Sequence, residues 1–310
     1  AHRVGARRSV AILGDLVYGG QSLFGLCGHE ELSCTRGGAR GEGARRDARK
    51  GADVVIPLAA LGGAPACDRD PWVATSVNYE AIATLDRLRS RDQLVLYPCT
   101  NSGYGTMSGD TFCTEDTPME PISLYGRTKV DAEKLLLDSE NVITLRLATV
   151  FGTSPRMRLD LLVNHFTYAA FTDGCIEIFE KDAKRNYVHI RDVADCFVHC
   201  LANAEAMLGR PYNLGLDDAN LSKEELAYKV REHVGNFRVS FADVGDDPDQ
   251  RDYTVSNQRL REAGFPARRT LDAGVAEPLN AYRTTGRPDP RNAAACRRRR
   301  PRRAPPGAAG

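Results

Sequence analysis

The sequence has no run of about 18 uninterrupted apolar residues, so we expect no membrane-spanning helix. It also has no Cys-x-x-Cys pair, and its nine cysteines are scattered along the chain, which argues against a disulfide framework and a zinc site. The short apolar run after the first arginines makes a poor signal peptide. We therefore expect a protein of a reducing compartment, with a cytoplasmic location, free thiols and no metal.

The chain also lacks a large net charge, but the formal value of +1 averages unlike parts. Residues 1–50 and 287–310 are basic, and the segment between them is acidic. The tail 287–310 is rich in Arg and Pro and has almost no large apolar side chain, so we expect it to be disordered. Clustered guanidinium groups attract phosphate, which makes nucleic-acid binding an alternative role for the tail. Such runs match many sequences by accident, so we expect no nucleic-acid partner.

Short apolar, β-branched runs alternate with helix-like segments from residue 53 onward. Runs at 53–58, 93–97 and 142–147 with helical segments between them are typical of a parallel sheet with crossover helices. Capping residues mark where helices begin. The predicted starts are Asp70 ahead of Pro71 for a helix reaching about residue 89, Asp192 for a helix over 193–204, and a capping box of Ser222 and Glu225.

Tyr125 and Lys129 stand four residues apart in a segment of good helix formers. Residues i and i+4 share one face of a helix, so we expect the phenol and the ammonium side by side. A neighbouring ammonium favours the phenolate, which lets a tyrosine exchange a proton with a carbinol or a carbonyl. The spacing alone is weak evidence, because a helix-surface pair has the same pattern. Thr100 strengthens it, since its hydroxyl falls at the carboxyl end of a parallel strand, where α/β sheets build their sites.

These motifs resemble the extended short-chain dehydrogenase/reductases, and among them the NAD-dependent nucleotide-sugar epimerases and dehydratases. A strand ending in Thr100, a Tyr-Gly pair at Tyr104 and the Tyr-x-x-x-Lys helix carry the resemblance, which covers roughly residues 10–284. Further blocks follow in the family's order at 53–60, Asn78, 145–152, 185–194, 212–215 with 221–226, and Arg251. The resemblance implies an α/β fold, with a Rossmann-like doubly wound parallel sheet and a smaller C-terminal substrate-binding lobe.

The resemblance also implies roles for individual residues. Tyr125 would be the acid/base, Lys129 would assist it and bind the nicotinamide ribose, and Thr100 would hydrogen-bond the reacting sugar oxygen. Permanently charged arginines suit a diphosphate, although surface salt bridging is their alternative role. The remaining expectations are Asp15, Ala59, Ala60 and Asn78 for NAD, and Ser102, Asn164, Arg185 and Arg251 for a nucleotide-diphosphate-sugar. We expect His189 to be structural rather than a base.

The expected reaction passes hydride between the sugar and NAD. Family members that eliminate water carry an acidic residue two positions before the Tyr-Gly pair, often with another before it. Here those positions are Ser102 and Asn101, neither of which is a usable acid or base near neutral pH. A 4,6-dehydratase is therefore disfavoured. Epimerisation through a 4-keto intermediate with retained NAD, or net reduction or oxidation of a keto-sugar, remains.

The sequence departs from the family at its front. The family's first strand and its Gly-x-x-Gly-x-x-Gly turn, which cradle the dinucleotide pyrophosphate, are not found, and 10–23 resembles the second strand. The chain could be a fragment, a degenerate homologue that no longer binds NAD, or one in which residues 1–9 supply a replacement. We expect poor solubility or weak NAD affinity.

The expected domains are an N-terminally incomplete dinucleotide-binding domain over 1–152 and a substrate-binding lobe over 153–286, with 186–204 returning to the first domain. By family analogy we expect a homodimer formed through the Tyr125 helix and the helix at 71–89. The alternative function is a catalytically silent homologue that binds a nucleotide-sugar but not NAD.

Overall fold

The computed structural model describes residues 9–17, 19–41, 43, 51–106, 112–241 and 251–285. The tail 287–310, for which we expect disorder, lies outside the described residues. The strands are β1 (Val10–Gly14), β2 (Leu32–Arg36), β3 (Val54–Val55), β4 (Leu94–Thr100), β5 (Phe112–Cys113), β6 (Val142–Leu147), β7 (Thr149–Phe151), β8 (Cys175–Ile178), β9 (Lys184–His189), β10 (Arg210–Leu214), β11 (Asn220–Ser222), β12 (Arg238–Phe241) and β13 (Thr254–Val255).

Ten α-helices of the described residues connect these strands. They are α1 (Ala64–Arg69), α2 (Pro71–Thr75), α3 (Ala81–Leu88), α4 (Leu124–Leu137), α5 (Leu162–Asp173), α6 (Ile190–Ala202), α7 (Ala204–Met207), α8 (Lys223–Val234), α9 (Gln258–Glu262) and α10 (Leu271–Thr285). A π-helical turn, Ser76–Glu80, joins α2 to α3, so the helix predicted from Pro71 to about residue 89 runs with one irregular turn. No helix in the described part of the chain is long and apolar enough to span a bilayer.

A parallel sheet in the order β10-β6-β4-β3 forms the centre of the N-terminal half. Its side chains alternate between two cores, as the two-residue period of a strand requires. On β4, Val95 and Tyr97 pack with α3 and α4 on one face, whereas Leu96 packs with α6 on the other. This arrangement, with helices on both faces, confirms the predicted Rossmann-like α/β fold.

The two strands β1 and β2 pair in parallel as a separate sheet. The strand predicted over 53–58 is confined to Val54–Val55, whereas the one predicted over 93–97 extends to Thr100. The longer β4 pairs with β6 up to Thr100 and Leu147, so both strands end at the same edge. This edge is where α/β sheets bind their ligands.

A second set of elements follows β6 in the chain. Strands β7, β9 and β11 form a mixed sheet, β8 pairs with β12, and α5, α8 and α10 share one hydrophobic core with β8. Helix α6, in contrast, packs through Val193, Cys196 and Cys200 against the core beneath β6 and β10. The domain boundaries at residues 152 and 286 stay a prediction.

Two of the three predicted helix starts are confirmed. Asp70 accepts a hydrogen bond from the Val73 amide at 3.0 Å, and Ser222 with Glu225 forms the reciprocal capping box of α8. The third, a cap by Asp192, is wrong.

Helix α6 begins at Ile190, two residues before Asp192, and its cap is His189, whose Nδ1 accepts from the Arg191 amide at 3.1 Å. The Asp192 carboxylate instead accepts from the amide and guanidinium of Arg269, at 2.8 and 2.7 Å. The Asp192 carboxylate therefore binds a distant arginine and does not cap the helix.

Candidate active site

Helix α4 carries Tyr125 and Lys129. Ser123 caps it by accepting from the Gly126 amide at 3.1 Å, and this fixes Tyr125 in the first turn. Gly126 is required here, since a Cβ would lie 2.9 Å from the side chain of Pro121. Tyr125 is half-buried and Lys129 is buried, with 4% of its surface exposed. The two residues share a helix face, as the spacing predicted.

The Lys129 ammonium lies over an aromatic ring. Its Nζ is 4.0 Å from the ring centroid of Tyr97, a buried residue of β4. The Tyr97 hydroxyl donates to the Lys129 carbonyl at 3.3 Å. Burial lowers the pKa of Lys129 to about 8, and the negative charge of Glu133 opposes that effect. Lys129 is therefore a cation that is costly to bury, and its pKa lies near physiological pH.

A chain of hydroxyl and guanidinium groups begins at the end of β4. The Thr100 hydroxyl donates to the Ser102 hydroxyl at 2.9 Å, and the Arg251 guanidinium donates to the same Ser102 oxygen at 2.7 Å. Thr100 and Ser102 are both buried. Three predicted site residues, two of which are separated by 149 positions, are therefore in direct contact.

Several other buried polar atoms of this region have no hydrogen-bond partner among the described residues. They are both amide atoms of Asn101, the Thr149 hydroxyl and the Tyr187 hydroxyl. Thr149 and Tyr187 are paired in register between β7 and β9. Buried polar groups in proteins are nearly always satisfied, so these atoms are suited to a polar ligand.

Tyr187 connects the unsatisfied groups to the two predicted diphosphate-binding arginines. Burial raises the pKa of its hydroxyl, while the positive charges of Arg185 and Arg251 oppose that effect. Both guanidinium groups are therefore close enough to act on it electrostatically. Arg185 is buried, with 5% of its surface exposed, which is unusual for a residue that serves only a surface salt bridge.

The loop after β3 lies beside α4. The Asn78 amide holds this loop by accepting from the Leu61 amide at 2.8 Å and donating to the Leu61 carbonyl at 3.1 Å. It also donates to the Thr128 hydroxyl at 3.3 Å, which ties the loop to α4. Ala59 and Ala60 are exposed within the loop. Asn78 thus positions the segment that contains both alanines.

Asp15, Asn164 and His189 lie in other surroundings. Asp15 is exposed, and one carboxylate oxygen is 3.0 Å from where a Cβ of Gly38 would lie. The Asn164 side chain accepts from the Gly152 amide at 3.1 Å and donates to the Arg158 carbonyl at 3.0 Å, so it holds backbone, and its contact with a nucleotide stays a prediction. His189 uses Nδ1 for the helix cap and Nε2 for a 3.1 Å contact with Glu277, which is a structural role.

Sequence reasoning missed three residues of this region. Tyr97 belongs to an apolar strand and has the same spacing as core residues, although an aromatic residue two positions before Cys99 shares its sheet face. Glu133 is eight residues after Tyr125 and therefore lies near the same helix face, which was a usable signal. Tyr187 falls within the 185–194 block, and no role of its own was predicted for it.

Comparisons with known proteins show which family the sequence resembles. The sequence profile described as "NAD dependent epimerase/dehydratase family" matches residues 28–215. Low-salt glycan biosynthesis protein Agl12 of Haloferax volcanii is 25% identical over 289 residues, which cover 88% of this chain and 90% of that protein. An uncharacterized UDP-glucose epimerase, YtcB of Bacillus subtilis, is 29% identical over 191 residues, covering 57% of this chain and 55% of that protein.

The fold is also found among solved structures. DesIV, a dTDP-glucose 4,6-dehydratase from Streptomyces venezuelae solved with NAD bound, superposes with a TM-score of 0.79 at 21% identity. The superposition covers 90% of this chain and 89% of that one. Because the family profile covers more than half of the sequence and includes Thr100, Tyr125 and Lys129, the chain belongs to the NAD-dependent epimerase/dehydratase family.

Proposed function

We propose that this protein is an NAD-dependent nucleotide-sugar epimerase that works through a 4-keto intermediate, or a closely related keto-sugar reductase. One observation carries the proposal. A buried Lys129 stands one helical turn from Tyr125, in a site whose other buried groups include the Thr100 hydroxyl, bonded to Ser102. A tyrosine next to a cation is suited to exchange a proton with a carbinol or a carbonyl.

The residues at one end of the site fit NAD. Lys129 and Tyr125 would hold the nicotinamide ribose, beside the loop of Ala59 and Ala60 that Asn78 fixes. NAD supplies hydride transfer when it is bound. At the other end, β1 is followed by a 3₁₀ helix, Gln21–Leu26. The glycines at this junction, Gly14, Gly19 and Gly20, do not have the Gly-x-x-Gly-x-x-Gly spacing of the usual pyrophosphate cradle. We therefore expect NAD to bind more weakly than such a cradle would allow.

The substrate would enter with its diphosphate toward the arginines. Arg185 and Arg251 carry permanent charges, and the neighbouring Tyr187 hydroxyl can donate a further hydrogen bond. Because Arg251 already bonds Ser102, the diphosphate site and the Thr100 hydroxyl share one chain of contacts. Thr100 would orient the reacting oxygen of the sugar, and Tyr125 would take its proton and later return it.

The same residues support an epimerase or reductase over a dehydratase. Elimination of water requires an additional proton donor at the position of Asn101 or Ser102. Asn101 is a neutral amide, and the Ser102 hydroxyl is engaged by Thr100 and Arg251. Neither side chain exchanges a proton near neutral pH, so these two positions do not supply the acid or base that elimination of water requires.

A second candidate is the catalytically silent homologue. It would bind the nucleotide-sugar through Arg185 and Arg251 and make no use of Tyr125. The incomplete glycine spacing between β1 and the 3₁₀ helix Gln21–Leu26 favours this candidate, whereas the burial of Lys129 favours the enzyme. Formation of a homodimer through α4 and the 71–89 segment stays a prediction for either.

Titration calorimetry and turnover of the purified chain decide between the two. The enzyme is expected to bind NAD and to convert at least one UDP- or dTDP-hexose, and Tyr125→Phe is expected to remove conversion while nucleotide-sugar binding remains. Tyr228→Phe is the matched control, because this exposed tyrosine on α8 makes its side-chain contacts with Glu224 and Arg231 of its own helix. Binding of a nucleotide-sugar without NAD binding or conversion would establish the silent homologue.

A further inference from the structure

Tyr97 is a fully buried aromatic residue in the middle of β4. It lies on the sheet face that packs against α4, together with Val95 and Cys99. Aliphatic and aromatic side chains at core positions of this kind contribute packing. Tyr97 makes two specific contacts in addition, both of them with Lys129.

The first contact is between the ammonium and the face of the ring. Lys129 Nζ is 4.0 Å from the Tyr97 ring centroid, well inside the range of about 6 Å for a cation–π interaction. The second is the 3.3 Å hydrogen bond from the Tyr97 hydroxyl to the Lys129 carbonyl. One side chain therefore holds both the backbone and the charged end of the lysine.

No carboxylate among the described residues lies within 4.0 Å of the Lys129 ammonium. Glu133, one turn further along α4, is engaged by the Thr144 hydroxyl at 2.7 Å and the Arg146 guanidinium at 2.9 Å. The titratable or charged groups that face Lys129 are Tyr97 and Cys99 of β4, Tyr125 and Glu133 of α4, and Arg146 of β6 beyond Glu133.

Neither Tyr97 nor Cys99 supplies an anion. Burial raises the pKa of the Tyr97 hydroxyl well above its usual value and also raises the pKa of the Cys99 thiol, so both are neutral at physiological pH. Of the groups that face Lys129, the described residues show a direct contact with the ammonium for the electron-rich face of the Tyr97 ring.

We propose that Tyr97 is a positioning residue, whose ring face holds Lys129 charged and in place on the helix face that carries Tyr125. The consequence for catalysis rests on the proposed function, because it requires Tyr125 to be the acid/base. The contact itself does not depend on that function. An interaction with a cation that is shielded from water is stronger than at an exposed site, so the ring offsets part of the cost of burying the ammonium.

Two substitutions separate the ring face from the hydroxyl. Tyr97→Phe keeps the ring and removes the hydrogen bond to the Lys129 carbonyl. Tyr97→Leu keeps an apolar side chain and removes both. If the ring face is what stabilises the ammonium, only the leucine variant changes the protonation of Lys129.

The measurement is a pH titration of the lysine side chains by NMR, in protein with ¹³C-labelled lysine. The chain has seven lysines, and the signal of Lys129 is identified by its loss in Lys129→Met. We expect a midpoint near pH 8 in the wild type, as its burial implies. Tyr97→Phe should leave it in place, and Tyr97→Leu should lower it by about one pH unit, which corresponds to a desolvated cation–π interaction. An unchanged midpoint in the leucine variant, or an equal fall in both, overturns the proposal.

A series of phenylalanines with increasing fluorination at position 97 tests the same point where the leucine variant does not fold. Fluorine withdraws electron density from the ring face and nearly preserves its shape. The Lys129 midpoint should fall step by step along the series, and the absence of a trend overturns the proposal. Because the titration uses the protein without NAD or sugar, its outcome is separate from that of the activity assay.

Discussion

The buried ion pair beneath Lys129 is open to a sharp test by Glu133→Gln. Glu133 on α4 and Arg146 on β6 are 2.9 Å apart, with 1% and 7% of their side chains exposed. Glutamine has nearly the same shape and can still accept from Thr144, so the substitution chiefly removes one charge. Arg146 then remains buried as a cation whose ion-pair partner is gone.

The expected loss of stability follows from that uncompensated charge. Breaking a buried ion pair by removing one partner costs about 3–5 kcal/mol, whereas an exposed pair contributes about 1 kcal/mol or less. Arg146 also donates to the Tyr104 hydroxyl at 3.1 Å and to the Glu115 carbonyl at 3.0 Å. The Glu115 carboxylate acts on Arg146 electrostatically, but its ion pair is with Arg259, at 3.6 Å. We therefore expect the unfolding free energy to fall by about 3 kcal/mol or more.

Urea unfolding followed by circular dichroism measures this loss. The matched control is Asp131→Asn, which removes the same charge from an exposed position on the same helix and should change stability by less than about 0.5 kcal/mol. A loss below about 1 kcal/mol for Glu133→Gln would refute the reasoning, since it would place the pair in the range of surface salt bridges.

Two further substitutions test the surroundings of Tyr125. Burial holds the pKa of Lys129 at about 8, below its unfolded value, so the buried cation destabilises the fold below pH 8 and this cost disappears as the pH rises toward about 10.4. Lys129→Met should therefore be more stable than the wild type at pH 7, by about 3 kcal/mol, and this difference should shrink above pH 8 in urea titrations. Substitution of the exposed Lys134 by Met should show no such trend. A difference for Lys129→Met that stays constant with pH would contradict the assignment. Asn78→Ala removes two hydrogen bonds to the Leu61 backbone and one to Thr128 of α4, and should lower stability by about 2 kcal/mol and weaken NAD binding in calorimetry. Unchanged NAD affinity in a folded Asn78→Ala variant would separate this loop from the cofactor site.

Local signals in the sequence were sufficient for much of the fold. The capping box at Ser222 and the alternating runs of β4 and β6 depend on neighbours within a few residues, and they appear where they were predicted. The cap by Asp192 failed because its carboxylate is taken by Arg269, and no pattern within the helix reports a contact across 77 positions. A contact with a distant residue that overrides a local helix cap forms only when the chain folds, so the local sequence does not report it.

At the candidate site, too, local spacing predicted some features, whereas others depend on how distant elements pack. The spacing of Tyr125 and Lys129 and the resemblance to a known family predicted which residues to examine, and the structure brings Thr100, Ser102 and Arg251 into contact. The contact between the Lys129 ammonium and the Tyr97 ring could not be predicted, because it depends on how α4 packs across β4. An aromatic residue in an apolar strand has the same pattern whether it fills a core or stabilises a cation.

The central claim is that Tyr125 exchanges the proton while hydride passes between a nucleotide-sugar and NAD. Absorbance at 340 nm tests it most directly, in purified protein incubated with NAD and a panel of UDP- and dTDP-hexoses. We expect that mixing with at least one sugar transiently reduces the bound NAD before the hydride returns to the 4-keto intermediate, and that Tyr125→Phe slows this step at least 100-fold, the lower range for loss of a general acid/base. No absorbance change with any sugar in protein shown to bind NAD, or an unchanged rate in Tyr125→Phe, would contradict it.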